Sequence, residues 1–227
     1  MIVRRIQCAL LAAVAAVGFA SAAGAAPPFS WTGFYVGANG GYGSSHLCWE
    51  YLGPETPTGD EGCHDARGAL FGGQIGYNWQ MGSWVLGLEA QGDWANLTGS
   101  NVSLVFPTFT NTTKIDAMGL FTGRVGYALN NLLLYAKAGG VVVHNQYSFI
   151  EPSTGVTGGG SEARWGAVVG GGFEYGFAPR WSIGIEYNHL FLGTRGNTQS
   201  QSITPFIVFE SIKQDLDMLT ARVNYRL

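Results

Sequence analysis

The side chains with chemistry to offer fall into two sets. The first is a cysteine pair, Cys48 and Cys63, flanked by histidines in His46-Leu47-Cys48 and Cys63-His64. Two thiols and two imidazoles are soft N/S ligands that would suit zinc or copper. The spacing matches no standard finger, however, and in an exported chain such a pair is expected as a disulfide. Closing a loop of roughly 15 residues would constrain the unfolded chain by about 3 kcal/mol in the entropy model. We therefore expect a Cys48–Cys63 disulfide, with no metal and no cofactor. The second set comprises the acids Glu89, Asp93, Asp116, Glu174 and Glu186 and the bases Lys114, Arg124, Lys137, Arg164, Arg222 and Arg226. Paired carboxylates suit acid–base catalysis. Near-balanced charges on facing walls suit an ion-pair network, since an unpaired buried charge costs several kcal/mol. We expect the network, built from Glu89, Asp93, Asp116, Arg124, Lys137, Arg164, Glu174, Glu186 and Arg222. His144 and His189 read as isolated.

The elements that must position these groups are strands. The last stretch shows it most clearly: Leu219, Ala221, Val223, Tyr225 and Leu227 fall on one face, Thr220, Arg222, Asn224 and Arg226 on the other. The same alternation recurs upstream. Phe34, Val36, Ala38 and Tyr42 share a face in the first segment, and Ala69, Phe71, Ile75, Tyr77 and Trp79 in the second. The third sets Trp84, Leu86, Leu88, Ala90 and Trp94 against Glu89, Gln91 and Asp93. The fourth sets Ile115, Ala117, Phe121, Val125 and Tyr127 against Lys114, Asp116, Thr122 and Arg124. The fifth sets Leu134, Ala136, Ala138 and Val142 against Tyr135 and Lys137. The sixth opposes Trp165, Ala167, Val169, Phe173 and Tyr175 to Arg164, Val168 and Glu174. The seventh opposes Trp181, Ile183, Ile185 and Tyr187 to Glu186 and Asn188.

Eight two-faced strands with the apolar faces outward must close on themselves to leave no edge, which is the architecture of a membrane-spanning barrel. Soluble barrels such as lipocalins carry apolar residues inside, and alternation alone cannot say which face is inward. The glycine-rich, charge-bearing polar face and the uncharged aromatic face favour the membrane reading. Connections near 81–83, 129–131 and 178–180 are short. Those near 44–66, 96–113, 148–161 and 192–212 are long and rich in small polar residues, which predicts short turns on one side and long loops on the other. Asn96-Leu97-Thr98, Asn101-Val102-Ser103 and Asn111-Thr112-Thr113 are read as polar loop composition, and Gly158-Gly159-Gly160 as a loop tip. Tyr77, Trp79, Trp84, Tyr127, Tyr175, Trp181 and Tyr225 cluster near the short turns or the C-terminus, as an aromatic girdle at the periplasmic interface would.

Composition agrees. Only 12% of the 227 residues are charged, about half the soluble norm, while 13% are aromatic and 35 are glycine. Residues 1–25 read as a signal peptide: Arg4 and Arg5, an apolar segment from Cys8 to Phe19, and Ala23-Gly24-Ala25 as the cleavage site. Cys8 comes too early to be a lipidation site. Residues 26–227 would then form one barrel domain. Loss of Arg4 and Arg5 takes the formal charge from −3 to about −5, which gives no reason to expect a nucleic-acid partner.

The opening Phe29-Ser30-Trp31-Thr32-Gly33-Phe34-Tyr35-Val36-Gly37, the tryptophan-led third and seventh strands and the ending Ala221-Arg222-Val223-Asn224-Tyr225-Arg226-Leu227 resemble Omp25/Omp31-type outer-membrane proteins. These are small porin-family barrels of alphaproteobacteria, described as surface immunogenic proteins. The resemblance covers essentially the whole mature chain. It implies an all-β, eight-stranded antiparallel up-and-down barrel in the cell outer membrane of a Gram-negative bacterium. Its partners would be lipid, lipopolysaccharide and the barrel-assembly machinery, with the chain a monomer or weak oligomer. Such chains usually end in an aromatic residue. Here Leu227 takes that place, so the assembly signal would rest on Tyr225 together with Leu227. The expected function is non-enzymatic: envelope structure and surface display. The rival readings are a narrow channel, with inward glycines (Gly37, Gly41, Gly72, Gly76, Gly87, Gly126) leaving water-filled gaps, and loop-mediated ligand binding or adhesion, with haem among the candidate ligands. No convincing Ser/His/Asp grouping supports an enzyme.

Overall fold

Alternating segments rich in aromatic and β-branched residues favour extended backbone, and eight of them form strands. These are β1 (Gly33–Tyr51), β2 (Gly59–Met81), β3 (Trp84–Val102), β4 (Thr110–Leu129), β5 (Leu132–Glu151), β6 (Val156–Ala178), β7 (Trp181–Gln201) and β8 (Ile207–Arg226). The computed structural model describes residues 29–52, 59–105, 107–201 and 207–227. The expected signal peptide, residues 1–25, lies outside the described residues. Each strand pairs antiparallel with its sequence neighbour and β8 closes on β1, so the ring has no free edge. Along that seam Tyr35 lies opposite Arg226, Tyr42 opposite Leu219, and Tyr51 opposite Glu210. Gly82-Ser83, Asn130-Asn131 and Pro179-Arg180 make tight turns at one end. Gly82 and Asn130 there have φ of 63° and 54°, a region that glycine and asparagine occupy at least cost.

The segments expected as long loops are largely continued ladder. Cys48 pairs with Cys63 in register, Ser100 with Thr112, Ser148 with Gly159, and Gly196 with Ser211. Gly158-Gly159-Gly160 is therefore strand, opposite Tyr147-Ser148-Phe149. Small polar residues signal loops only when nothing pairs with them. Here each run meets another of the same kind across a hairpin.

The strands, 19 to 23 residues long, are longer than a membrane requires. At about 3.3 Å per residue and a tilt near 40°, such strands rise roughly 50 Å, against an apolar band of about 25 Å. The side chains show where the band ends. On β1 the outward residues run Phe34, Val36, Ala38, Tyr42 and then Ser44, His46, Glu50. On β8, moving away from the C-terminus, they run Val223, Ala221, Leu219 and then Asp217, Asp215, Lys213. The inward faces change in the opposite sense at the same height: Arg222 and Thr220 give way to Met218, Leu216 and Ile212 on β8, and Tyr35 and Asn39 to Leu47 and Trp49 on β1. Most strands are apolar-out in their lower half and apolar-in in their upper half; β6 differs, its upper inward positions being Glu162, Arg164 and glycines. The lower half faces lipid. The upper half stands in water with a core of its own.

Alternation breaks once on β4. Asp116 is an extra residue between the pairs Ile115↔Asn145 and Ala117↔His144, a β-bulge. It turns Ile115 into the interior and Lys114 and Asp116 outward, reversing the facing expected for these three residues.

Candidate functional site

The barrel interior is filled in three layers. At the short-turn end lies an aromatic layer brought by the residues preceding β1. Trp31 is fully buried with Phe29, Val85, Ala128, Leu133 and Tyr135. Its backbone N–H donates to Gln80 Oε1 at 2.8 Å and its indole N–H to the Asn130 carbonyl at 3.3 Å. The Arg226 guanidinium lies over both rings, 4.5 Å from the Phe29 centroid and 5.1 Å from that of Trp31.

Above it sits the charged layer. Strands β3, β6 and β7 supply Glu89, Glu174 and Glu186, and β4, β5 and β8 supply Arg124, Lys137 and Arg222. All six are buried. Lys137 Nζ donates to Glu186 Oε1 at 2.7 Å and to Glu89 Oε1 at 3.2 Å. Arg222 bridges the same two carboxylates from the other side. Arg124 donates to Glu174 Oε1 at 2.9 Å and to Asn78 Oδ1 at 2.9 Å. Two tyrosine hydroxyls complete the layer, Tyr35 donating to Glu89 Oε2 and Tyr135 to Glu186 Oε2, each at 2.7 Å. Three acids meet three bases, so the layer is neutral, and each carboxylate oxygen has a donor.

Three residues expected in this network lie elsewhere. Asp116 is outside the barrel because of the bulge, accepting from Gln146 Nε2 and paired with His144 Nδ1, each at 2.6 Å. Arg164 is buried inside but higher up, where it donates to the Ile212 carbonyl at 3.0 Å and meets Glu162 at 3.4 Å. Asp93 points inward beside the layer, accepts from Gln91 Nε2 at 2.8 Å, and makes no ion pair among the described residues.

The third layer is mainly apolar, with Arg164 and a hydrogen-bonded trio of Ser45, Asn145 and Gln214 buried within it. Leu47, Trp49, Leu70, Leu97, Ile115, Leu120, Val141, Val143, Leu190, Ile212, Leu216 and Met218 fill the upper barrel, with Trp49 edge-on to Tyr147 at 5.6 Å. Near its rim, Asn101 Nδ2 donates to the Glu61 carbonyl, so its Oδ1 accepts from His64 Nδ1 at 2.8 Å, which leaves Nε2 to face the Thr113 hydroxyl at 3.1 Å. Burial pushes His64 below the ordinary imidazole range and raises the Glu61 carboxyl, which Asn111 Nδ2 partly offsets from 2.7 Å. Both groups stand above the lipid band. Alternation alone does not reveal the upper layer, because it runs on unbroken while the apolar residues change face. The switch of Leu216 and Met218 to the face opposite Leu219 was its available signal.

The space beside the inward glycines is taken. An added Cβ at Gly37 would lie 2.1 Å from Asn224 Oδ1, at Gly41 2.0 Å from the Leu219 carbonyl, and at Gly72 2.2 Å from Asp93 Oδ1. At Gly76 it would meet Tyr35 Oη at 2.3 Å, at Gly87 Asn78 Oδ1 at 2.3 Å, and at Gly126 Leu133 Cδ1 at 2.8 Å. Neighbouring groups already occupy the space these glycines free.

On the outer face, Tyr77, Trp79, Trp84, Tyr127, Tyr175, Trp181 and Tyr225 project near the short turns, with Trp84 5.4 Å from Tyr127 and Trp181 5.0 Å from Tyr225. Leu227 is exposed, and its N–H donates to the Phe34 carbonyl at 2.9 Å. Cys48 and Cys63 are joined by a disulfide on the outer face of the β1–β2 hairpin. His144 and His189, far from isolated, face Asp116 and Asp217 across the ladder, each at 2.6 Å, and His46 faces Asp65 at 2.7 Å.

Residues 10–226 match the model of the outer membrane protein beta-barrel domain. The chain belongs to this family. It is 29% identical over 196 residues to the 31 kDa outer-membrane immunogenic protein of Brucella melitensis, covering 82% of each chain. It is also 32% identical over 165 residues to the 22 kDa outer membrane protein of Rhizobium leguminosarum bv. viciae, covering 72% of this chain and 65% of the relative. Among solved structures it is similar to Ail, the attachment invasion locus protein of Yersinia pestis, with 13% identity, 86% of this chain and 99% of the other covered, and a TM-score of 0.39. Membership places the protein in the outer membrane. The lower half of the barrel, with Phe71, Leu88, Phe121, Trp165 and Ile183 exposed around its circumference, is the part that meets hydrocarbon.

Proposed function

We propose that the protein is a non-enzymatic, non-conducting barrel that holds a rigid β-extension above the outer leaflet, contributing to the envelope and to what the cell displays. The observation that carries this reading is the interior: an aromatic layer, a neutral ion layer and an apolar core stacked in one tube. Water and ions would have to cross two dry layers to pass. The exposed outer half supports display, because its polar outer wall is backed by a core that keeps it folded in water.

The remaining roles belong to this reading. Residues 1–25 direct export and are removed. The seven outward aromatics anchor the periplasmic interface, and Tyr225 with Leu227 is presented to the assembly machinery. Lys114, His144 and Gln146 line a polar recess of about 560 Å³ just above the lipid band, chemistry suited to the phosphates of lipopolysaccharide. The barrel acts as a monomer or weak oligomer. Conductance in planar bilayers tests the central statement. The purified protein should leave the bilayer current at its lipid baseline, whereas unitary steps of reproducible size would establish a channel instead.

A further inference from the structure

The outer wall of the β1–β2 hairpin gathers four polar groups within two rungs of the ladder. Cys48 faces Cys63 on one rung, and His46 faces Asp65 two residues nearer the membrane. His46 Nδ1 is 2.7 Å from Asp65 Oδ1, and Arg67 Nη2 donates to Asp65 Oδ2 at 2.6 Å. With Nδ1–H directed at the carboxylate, Nε2 carries the lone pair, and it lies 3.6 Å from Cys48 Sγ. A ring nitrogen of His46 and both sulfurs lie within 4.8 Å of one another. His64, although next to Cys63, points into the barrel and takes no part.

We propose that this hairpin is a redox-gated site for a borderline-soft divalent cation of the zinc class, closed as a disulfide and opened by reduction. Its ligands are Cys48 Sγ, Cys63 Sγ and His46 Nε2. Three considerations point the same way. Tetrahedral zinc with Zn–S near 2.3 Å and Zn–N near 2.05 Å places S and N about 3.6 Å apart, the separation already present between Cys48 and His46. Metal-bound imidazoles usually donate their second N–H to a carboxylate that fixes tautomer and ring, and Asp65, itself held by Arg67, stands in that position. Charge also closes: two thiolates neutralise the dication, and Arg67 neutralises Asp65. The fourth position is left to water, since His46 and Cys63 are exposed.

The gating step uses two equivalents of a small-molecule thiol. One thiolate attacks a sulfur of the Cys48–Cys63 bond, and the electron pair of that bond leaves with the other sulfur, which takes up a proton. A second thiol resolves the mixed disulfide, so the small molecule is oxidised to its own disulfide while two protein thiols form. Cation binding then releases two protons to solvent. The backbone ladder on either side, Leu47↔His64 and Trp49↔Gly62, keeps the ligands together once the covalent link is gone.

The test uses the full-length folded protein in detergent, reduced with a phosphine that is then removed, and Co²⁺ as an optical probe followed by Zn²⁺. The reduced protein should take up one Co²⁺ with thiolate-to-metal and tetrahedral absorption bands, and one Zn²⁺ should abolish them. The oxidised protein should show neither. His46→Ala should weaken the affinity at least tenfold and Asp65→Asn about tenfold, with folding checked by heat-modifiable gel migration. Alkylating the thiols of reduced wild-type protein should abolish binding without any substitution. Absence of thiolate bands after reduction would overturn the proposal, as would bands indifferent to His46→Ala or equal uptake by the oxidised form.

Discussion

Removing the Arg222 guanidinium isolates what the charged layer contributes. Arg222 spans Glu89 and Glu186, and among the described residues only Lys137 shares that task. Arg222→Met leaves the layer with a net charge of −1, with Glu186 paired to Lys137 alone and Glu89 to Lys137 and, at 3.9 Å, Arg124. Breaking a buried pair from one side costs about 3–5 kcal/mol, because the charge left behind is poorly solvated. Glu186→Gln strands charge of the other sign and should cost a similar amount. Simple addition would put the double variant about 6–10 kcal/mol below wild type. The double variant is neutral again, however, so a coupling of about 1–3 kcal/mol should be recovered. Urea unfolding of the detergent-folded protein, read by gel migration and tryptophan fluorescence, measures all four corners of the cycle. Glu186→Gln with Arg164→Met is the control. Arg164 bonds to Ile212 and Glu162 and shares no partner with Glu186, so those losses should add within about 0.5 kcal/mol. Additive losses for the Glu186–Arg222 pair would refute the account of the layer as one electrostatic unit.

Other consequences can be read off the same way. Leu88→Arg puts a charge in the lipid band at a cost of roughly 2–4 kcal/mol and should reduce outer-membrane insertion, while Thr98→Arg, on the outward face above the band, should insert normally; equal yields in a membrane-fractionation assay would contradict the placement of the boundary. Gly76→Ala should drive Tyr35 off Glu89, since the new methyl would lie 2.4 Å from Tyr35 Cζ, and a lower urea midpoint is expected; an unchanged midpoint would show that the ring has room to move. Replacing both Cys48 and Cys63 by serine should leave the barrel folded by heat-modifiable migration yet speed protease cleavage between residues 44 and 66, because the bridge ties the hairpin above the membrane; unchanged cleavage would show that the ladder alone holds it.

Much of this was legible in the sequence wherever a residue's neighbours in the chain decide its facing. Period-two alternation put Leu88 and Glu89 on opposite faces because strand geometry allows nothing else, and the charges and glycines on the Glu89 face marked it as the inner one. The same rule failed at Asp116, since one inserted residue reverses every facing beyond it and leaves no mark in composition. Pairing partners were less accessible. Arg124, Lys137, Arg164 and Arg222 are equivalent by type and alternation. Which of them meets Glu186 depends on strand tilt and register, and these set the height of each side chain. The His–Asp pairs were invisible for the same reason: His144 and Asp116 are 28 residues apart and meet only across the ladder.

The inversion halfway along most of the strands follows from the solvent on either side of the wall. In the lower half the wall separates lipid from a polar interior, so Val223 faces out and Arg222 in. In the upper half the outside is water, and polar side chains inside would bring no lipid-facing partner to offset their burial. An apolar filling such as Leu216 and Met218 gains from leaving water, so the favourable arrangement reverses. The ion layer lies below that change, where the lipid-facing wall leaves the apolar residues no reason to point inward. Its own cost is kept low only by complete pairing. Network and upper core are therefore linked through one boundary. Shifting that boundary along β8, as Asp217→Leu would, should draw the upper half toward lipid without disturbing Arg222.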